Sequence, residues 1–308
     1  MTTILSRIGN TSLLPLTRLT PPGCARISLK MESENPTGSM KDRMALAIIG
    51  AAEVDGRLPV GGSVVEYTGG STGVSLALVC AVRGYRLDIV TADAFAAEKL
   101  DHMRLLGATL HVLKSEAGRM TEKLTRDMID RADALRQERR AFWPDQMRNR
   151  DQLSAYTRMA DEILDQTAGR IDAFVHSVGT AASFIGAGGQ LRRNLPDIRL
   201  VAVEPAESAV LAGGTSGAHR IDGIGAGYVV PLWEPGLADA IEPVSTEDAR
   251  AMTLRLAREE GLFAGLSTGA NVVAALRLAR QLGPGGHVVT MLCDSGMKYL
   301  RQLGTQSP

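Results

Sequence analysis

Cysteine is scarce in this sequence, and its three copies (Cys24, Cys80, Cys293) are far apart, odd in number and free of any Cys-x-x-Cys spacing. That excludes a disulfide framework and a thiolate zinc site as organising devices. The five histidines are scattered with no His-Glu-x-x-His, so no metal centre is expected. There is no excess of charge of either sign, because 34 basic residues face 34 acidic ones, and no broad attraction to nucleic acid or to an anionic membrane follows. No apolar run approaches the roughly 18 residues a spanning helix needs. The amino-terminal MTTILSRIGNTSLLPL lacks the basic-then-apolar order of an export signal, so a cytoplasmic location is expected. Aromatics are only 4% of the chain, while glycine reaches 33 copies among 308 residues.

The glycines punctuate a repeated pattern. Short apolar runs at 63–68, 86–92 and 109–114 alternate with helical periodicity at 72–83, 96–106 and 120–137, which is the signature of parallel strands covered by helices. After a charge-rich stretch, 136–150, expected to be a solvated connection, the pattern restarts. Strands are expected at 173–178, 199–204 (ended by Pro205) and 287–293, with helices near 152–166, 182–192, 246–260 and 269–282. The fold class is therefore α/β in two lobes, each a mostly parallel twisted sheet flanked by helices. A ligand site is expected at the carboxyl ends of the strands or between the lobes.

The turns carry the chemistry. Asn35-Pro36-Thr37-Gly38-Ser39-Met40 delivers Lys41 to the start of a helical pattern over 40–54. A lysine held in a turn of small and hydroxylated residues is a candidate amine nucleophile, the group that forms Schiff bases with carbonyls; the plainer reading is a solvated lysine in a first helical turn. Three further turns follow strands and open helices: Thr68-Gly69-Gly70-Ser71-Thr72-Gly73, Ser177-Val178-Gly179-Thr180-Ala181-Ala182-Ser183 and Gly265-Leu266-Ser267-Thr268-Gly269. Such turns offer unpaired N–H groups to anions, although Gly, Ser and Thr also make ordinary turns and caps. Two of them fit G-x-S-x-G, so a serine hydrolase at Ser71 or Ser267 is a rival; after Ser267, His287 precedes Asp294, the wrong order for that class. His176 ends an apolar strand and reads as a packed histidine, and His219 as a support for the turn that follows it.

Seven segments in order resemble the cysteine synthase family, the fold-type II enzymes that use pyridoxal 5′-phosphate. They are NPTGSMKDR, TGGSTG, SVGTAAS, Ala202-Val203-Glu204-Pro205, Gly223-Ile224-Gly225-Ala226-Gly227, GLSTGA and DSGMKYL, and the likeness runs from Ile8 to Leu300. The resemblance implies a tryptophan synthase β-like fold, with a small mobile domain over 36–145 that closes on substrate. A large cofactor-anchoring domain is implied over 1–35 and 146–308. It implies that Lys41 holds the cofactor as an internal Schiff base and moves the Cα proton. Gly179, Thr180, Ala181, Ala182 and Ser183 would wrap the phosphate. Thr68, Gly69, Gly70, Ser71 and Thr72, with Gln146, would grip the substrate carboxylate, Ser71 also standing against the cofactor. Ser267 would face the pyridine nitrogen, and Gly225, within Gly223 to Gly227, would shape the opposite side.

The activity implied is β-replacement on an activated serine such as O-acetylserine, through an aminoacrylate, giving L-cysteine from sulfide or another β-substituted alanine. A homodimer working on small molecules alone is expected. Serine or threonine dehydration, a cystathionine-forming reaction and a silent binding protein remain as alternatives. The end of the chain at Pro308 favours a synthase without an appended regulatory domain.

Three departures from the family pattern stand out. Ser71 replaces the asparagine of the substrate turn, and Gly69 its serine. Ala181 and Ala182 stand in a phosphate loop usually made of glycine, where any position needing positive φ is strained. Met147 replaces an aromatic residue.

Overall fold

The computed structural model describes residues 2–304. Its strands are β1 (Leu13–Pro15), β2 (Arg26–Met31), β3 (Ser63–Tyr67), β4 (Arg86–Ala92), β5 (Thr109–Leu113), β6 (Ala173–Ser177), β7 (Arg199–Pro205), β8 (Ala240–Val244) and β9 (His287–Leu292). Its main helices are α1 (Lys41–Val54), α2 (Ser71–Arg83), α3 (Ala97–Leu105), α4 (Glu122–Arg139), α5 (Leu153–Thr167), α6 (Ala182–Asn194), α7 (Thr246–Arg255) and α8 (Leu266–Leu282). None of these is long and apolar enough to cross a membrane. The chain divides into two compact units. One comprises 2–8, Lys41–Gln152 and 298–304, and the other Gly9–Met40 and Leu153–Met297.

The first unit holds a three-stranded parallel sheet in the order β3-β4-β5. Each strand is followed by a helix, so the sheet is built by crossovers, as the alternation of apolar runs and helical periodicity requires. Ile49, Val64, Val79, Ile89 and Met103 fill one core cluster, and Val65, Val90, Met128 and Leu135 a second.

The second unit holds a six-stranded sheet in the order β1-β2-β9-β6-β7-β8, parallel except for β1. β6 (AFVHS) and β9 (HVVTML) are buried along their whole length, hence their mainly apolar sequences. Three strands here escape sequence reading. β2 (RISLKM) carries a lysine, yet Lys30 is fully buried. Its ammonium meets Glu162 at 2.7 Å, the Thr11 carbonyl at 2.7 Å and Gln166 Oε1 at 3.0 Å, and this satisfies the charge that argued against a buried strand. β1 and β8 are the edge strands and contain Pro15 and Pro243, which an edge tolerates because one side needs no donor.

Two helix boundaries depart from expectation. The helix expected over 246–260 is α7 followed by a π-turn at Leu256–Glu260. The helix expected from 269 begins at Leu266. Gly269 is no breaker: a Cβ there would lie 2.1 Å from the Ala249 carbonyl oxygen, so the residue permits close packing of α8 on α7.

Candidate active site

In the first unit, Lys41 is the opening residue of α1 and is half-buried. Behind it Asp42 is fully buried and accepts a 2.6 Å hydrogen bond from Ser75. The turn after β3 leads straight into α2. Thr68 Oγ1 accepts the Gly70 N–H at 3.2 Å, and Gly70 is the residue before the helix. Gly69 has no room for a side chain, because a Cβ would fall 1.9 Å from Cγ of Phe95. The serine of the family pattern is thus exchanged for an aromatic ring laid against the backbone. Thr72 Oγ1 donates to Gln146 Oε1 at 2.6 Å, so the structure brings Gln146 to the 68–72 turn.

The stretch expected to be a solvated connection is more than that. Its first part, to Arg139, belongs to α4. Trp143 Nε1 and the Gln146 N–H both donate to Glu66, at 3.0 and 3.2 Å. Sequence reading did not single out Glu66, whose signal is an acid inside an apolar strand. Burial pushes its carboxyl up to about 7, against the opposing pull of three N–H donors.

In the second unit the turn after β6 is fixed at several points. The Val178 N–H donates to the Val203 carbonyl at 2.9 Å, and Gly225 N–H to the Val178 carbonyl at 3.1 Å. Gly179 sits so close to Gly223 that a Cβ would be 2.3 Å from the Gly223 oxygen. The structure therefore places Gly179 beside the Gly223 to Gly227 segment. Gly225 has φ 64° and is crowded by Pro205 and His219, and His219 Nε2 bonds its carbonyl at 2.9 Å, which is the supporting role expected of that histidine.

His176 is buried with Nε2 at 2.8 Å from Ser183 Oγ, so it holds the turn as well as filling the core. Asn271, also missed in the sequence, lies fully buried in α8. It accepts the Ser177 N–H at 2.7 Å and donates to the Met291 carbonyl at 3.0 Å, tying this turn to α8 and β9. Ser267 is buried in the first turn of the same helix. The Asn35-to-Met40 turn packs in this unit, through Met40 N–H to the Cys293 carbonyl (2.9 Å) and Ser295 N–H to the Gly38 carbonyl (2.9 Å).

The helix starts separate into two kinds. α4 and α7 are capped by their own side chains, Thr121 to the Leu124 N–H and Ser245 to the Asp248 N–H. α2, α6 and α8, the helices that follow the three singled-out turns, open on Gly70, Ala181 and Gly265, with no side-chain cap. An uncapped start leaves N–H donors and the positive dipole end for a ligand. α3 also opens on an alanine, Ala96, so an uncapped start is a condition for anion binding and not a proof of it.

The sequence profile of pyridoxal-phosphate dependent enzymes matches residues 4–294. The chain belongs to that family. It is 37% identical over 295 residues to a cysteine synthase of Staphylococcus aureus, covering 95% of this chain and 93% of the relative. Among solved structures it superposes on an O-ureido-L-serine synthase with a TM-score of 0.92 at 36% identity, covering 97% of this chain and 93% of the other. It superposes on an O-acetylserine dependent cystathionine β-synthase from Helicobacter pylori with a TM-score of 0.89 at 33% identity, covering 97% of each chain. These likenesses assign a pyridoxal-phosphate enzyme of the cysteine synthase type, with the α/β architecture expected, and leave no role for a G-x-S-x-G hydrolase.

The residues fit the family's cofactor. The helix that the 179–183 turn opens lacks a side-chain cap, and the turn is held against the Gly223 to Gly227 segment with no room for a Cβ on Gly179. The Ser177 hydroxyl is buried without a hydrogen-bond partner among the described residues. The uncapped start and the unpartnered hydroxyl are features that a phosphate would answer. The alanine departures have one visible consequence: Ala181 takes φ 69°. A left-handed alanine costs about 1 kcal/mol. Ala181→Gly is expected to raise stability by up to about 1 kcal/mol, read as a higher unfolding midpoint of the holoenzyme. Ala182→Gly, at the first position of α6 and with no positive φ to relieve, is expected to give no such gain.

Proposed function

We propose that this enzyme catalyses β-replacement on an activated serine of the O-acetylserine type, making L-cysteine from sulfide or a related β-substituted alanine from another small nucleophile. The observation that carries the reading is the Gly179–Ser183 cradle on an uncapped helix, in a chain that keeps Lys41 at the head of α1. Bound pyridoxal phosphate supplies the electron sink that makes the substrate Cα proton acidic. Lys41 would hold the cofactor aldehyde through its ε-amine and, once released by the substrate amine, take and return the Cα proton.

The Gly179–Ser183 turn would take the phosphate on its backbone donors. The 68–72 turn and Gln146 would orient the substrate carboxylate, which sets the face of Cα presented to the base. Ser267 would meet the ring nitrogen as a neutral partner. A hydroxyl there holds no full positive charge on the ring, which favours loss of a β-leaving group over chemistry needing a long-lived carbanion. Ser71, shorter than the family's asparagine, leaves more room beside the cofactor and favours departures in donor or acceptor. The enzyme is proposed to work in amino-acid biosynthesis as a cytoplasmic homodimer; likeness to the cysteine synthase supports that reading.

The test is borohydride reduction followed by peptide mapping, with an absorbance scan against β-substituted alanines. A tag on the Lys41 peptide and a visible change with O-acetylserine are expected, with product formed on adding sulfide. Release of pyruvate from L-serine with no response to O-acetylserine would favour the dehydratase reading instead.

A further inference from the structure

Glu66 is completely buried at the end of β3, and both of its oxygens are used. Oε1 accepts the N–H of Tyr67 at 2.9 Å and the indole N–H of Trp143 at 3.0 Å; Oε2 accepts the N–H of Gln146 at 3.2 Å. Gln146 is restrained at two more points. Its backbone carbonyl accepts from Gln152 Nε2 at 2.7 Å, and its side-chain Oε1 accepts from Thr72 at 2.6 Å. With backbone and amide oxygen committed, the Nε2 end, with two N–H donors, is what Gln146 offers to a ligand.

We propose that Glu66 is a positioning residue for the substrate carboxylate: through the N–H groups of Gln146 and Trp143 it fixes the segment that aims the Gln146 amide. The inference rests on reading Gln146 and the 68–72 turn as the carboxylate grip.

The charges around Glu66 have other partners or push the same way as burial. Asp145, in the same segment, disfavours its ionisation. On α4, which packs on β3, Arg139 pairs with Asp88 and Arg136 with Asp133. On α2, Arg83 pairs with Glu53, and on β4 Asp88 also meets His111. Ionised, Glu66 accepts all three N–H groups; protonated, it turns an O–H toward one of them. The grip therefore tightens as pH rises through the range in which Glu66 loses its proton.

The experiment uses the holoenzyme with O-acetylserine between about pH 6 and 8, spanning a carboxyl pushed up to about 7. The KM for the donor is expected to fall as pH rises, with kcat following its own profile. Trp143 emission, isolated by Trp233→Phe, is expected to shift with the same midpoint. Glu66→Gln should remove both steps and raise KM about tenfold at the alkaline end, the size of one lost hydrogen bond to a charged group, with kcat little changed. Glu66→Asp, which keeps the charge, should retain the emission step.

A Glu66→Gln enzyme that melts earlier but keeps the wild-type KM and its pH dependence overturns the proposal. Should neither variant fold, the wild-type measurements decide, since KM and emission that share no midpoint also overturn it. Gln146→Ala separates the two readings. An unchanged KM sinks the carboxylate grip itself, and a raised KM in Gln146→Ala but not in Glu66→Gln sinks only the role of Glu66.

Discussion

Lys41→Ala is expected to lose at least about 10³-fold in kcat, the scale of a positioned base and covalent anchor together, while the unfolding midpoint of its cofactor-free form stays close to that of the wild-type apoenzyme. The stability expectation follows from the site of the change. Lys41 is half-buried at the first position of α1, where alanine is a good helix former and no core volume is removed. The loss of rate follows from the chemistry, because an alanine offers neither an amine for the aldehyde nor a base for the Cα proton. The visible absorbance should fall with dialysis, since only non-covalent contacts then retain the cofactor. Added small amines should restore a measurable part of the rate. Full activity in this variant would end the proposed chemistry.

Gly179→Ala should damage the phosphate turn of the second unit severely. Its Cβ would lie 2.3 Å from the Gly223 carbonyl oxygen, a backbone atom that no rotamer can move aside. Relief requires shifting either the turn or the Gly223 to Gly227 segment, at a cost of about 1–3 kcal/mol, and either shift spoils the cradle. The apparent affinity for pyridoxal phosphate, measured by titration of the apoenzyme, should fall about tenfold for about 1.4 kcal/mol of that strain expressed in binding. Gly50→Ala is the matching control. It lies within α1, nothing comes within 4 Å of its Cβ and its φ is not positive, so about 0.5–1 kcal/mol of stabilisation is expected. Equal effects of the two changes would refute the argument from close approach.

The parts legible in the sequence share a physical trait. The parallel strands β3, β4, β6, β7 and β9 read clearly because burial favours a mainly apolar run, and glycine- or hydroxyl-rich turns mark where several of them pass into helices. Where a polar residue is made tolerable by a distant partner, that signal fails. Lys30 conceals β2 because Glu162 and Gln166, far along the chain, supply its acceptors. Pro243 conceals β8 because edge position is a property of the finished sheet.

The site divides in the same way. Lys41 and the three turns are local signals, and the strain expected of alanine in the phosphate loop reappears as the positive φ of Ala181. Glu66 shows only as an acid in an apolar strand and Asn271 not at all, since their roles come from the backbone and indole groups that face them in the fold. Phe95 could not be linked to Gly69 from sequence, because their contact is visible only in the packing of the ring on the turn. The resemblance implies a small domain over 36–145, and one compact unit of the structure contains the segment Lys41–Gln152. The structure adds 2–8 and 298–304 to that segment.

The bare start of α6 bears on more than chemistry. On the proposed reading, a vitamin whose phosphate supplies the acceptors that α6 lacks would become a structural subunit of its own host, so supply of the vitamin and lifetime of the polypeptide would be linked by mass action. Under starvation for vitamin B6, the pool of this enzyme should shrink through proteolysis as well as fall idle.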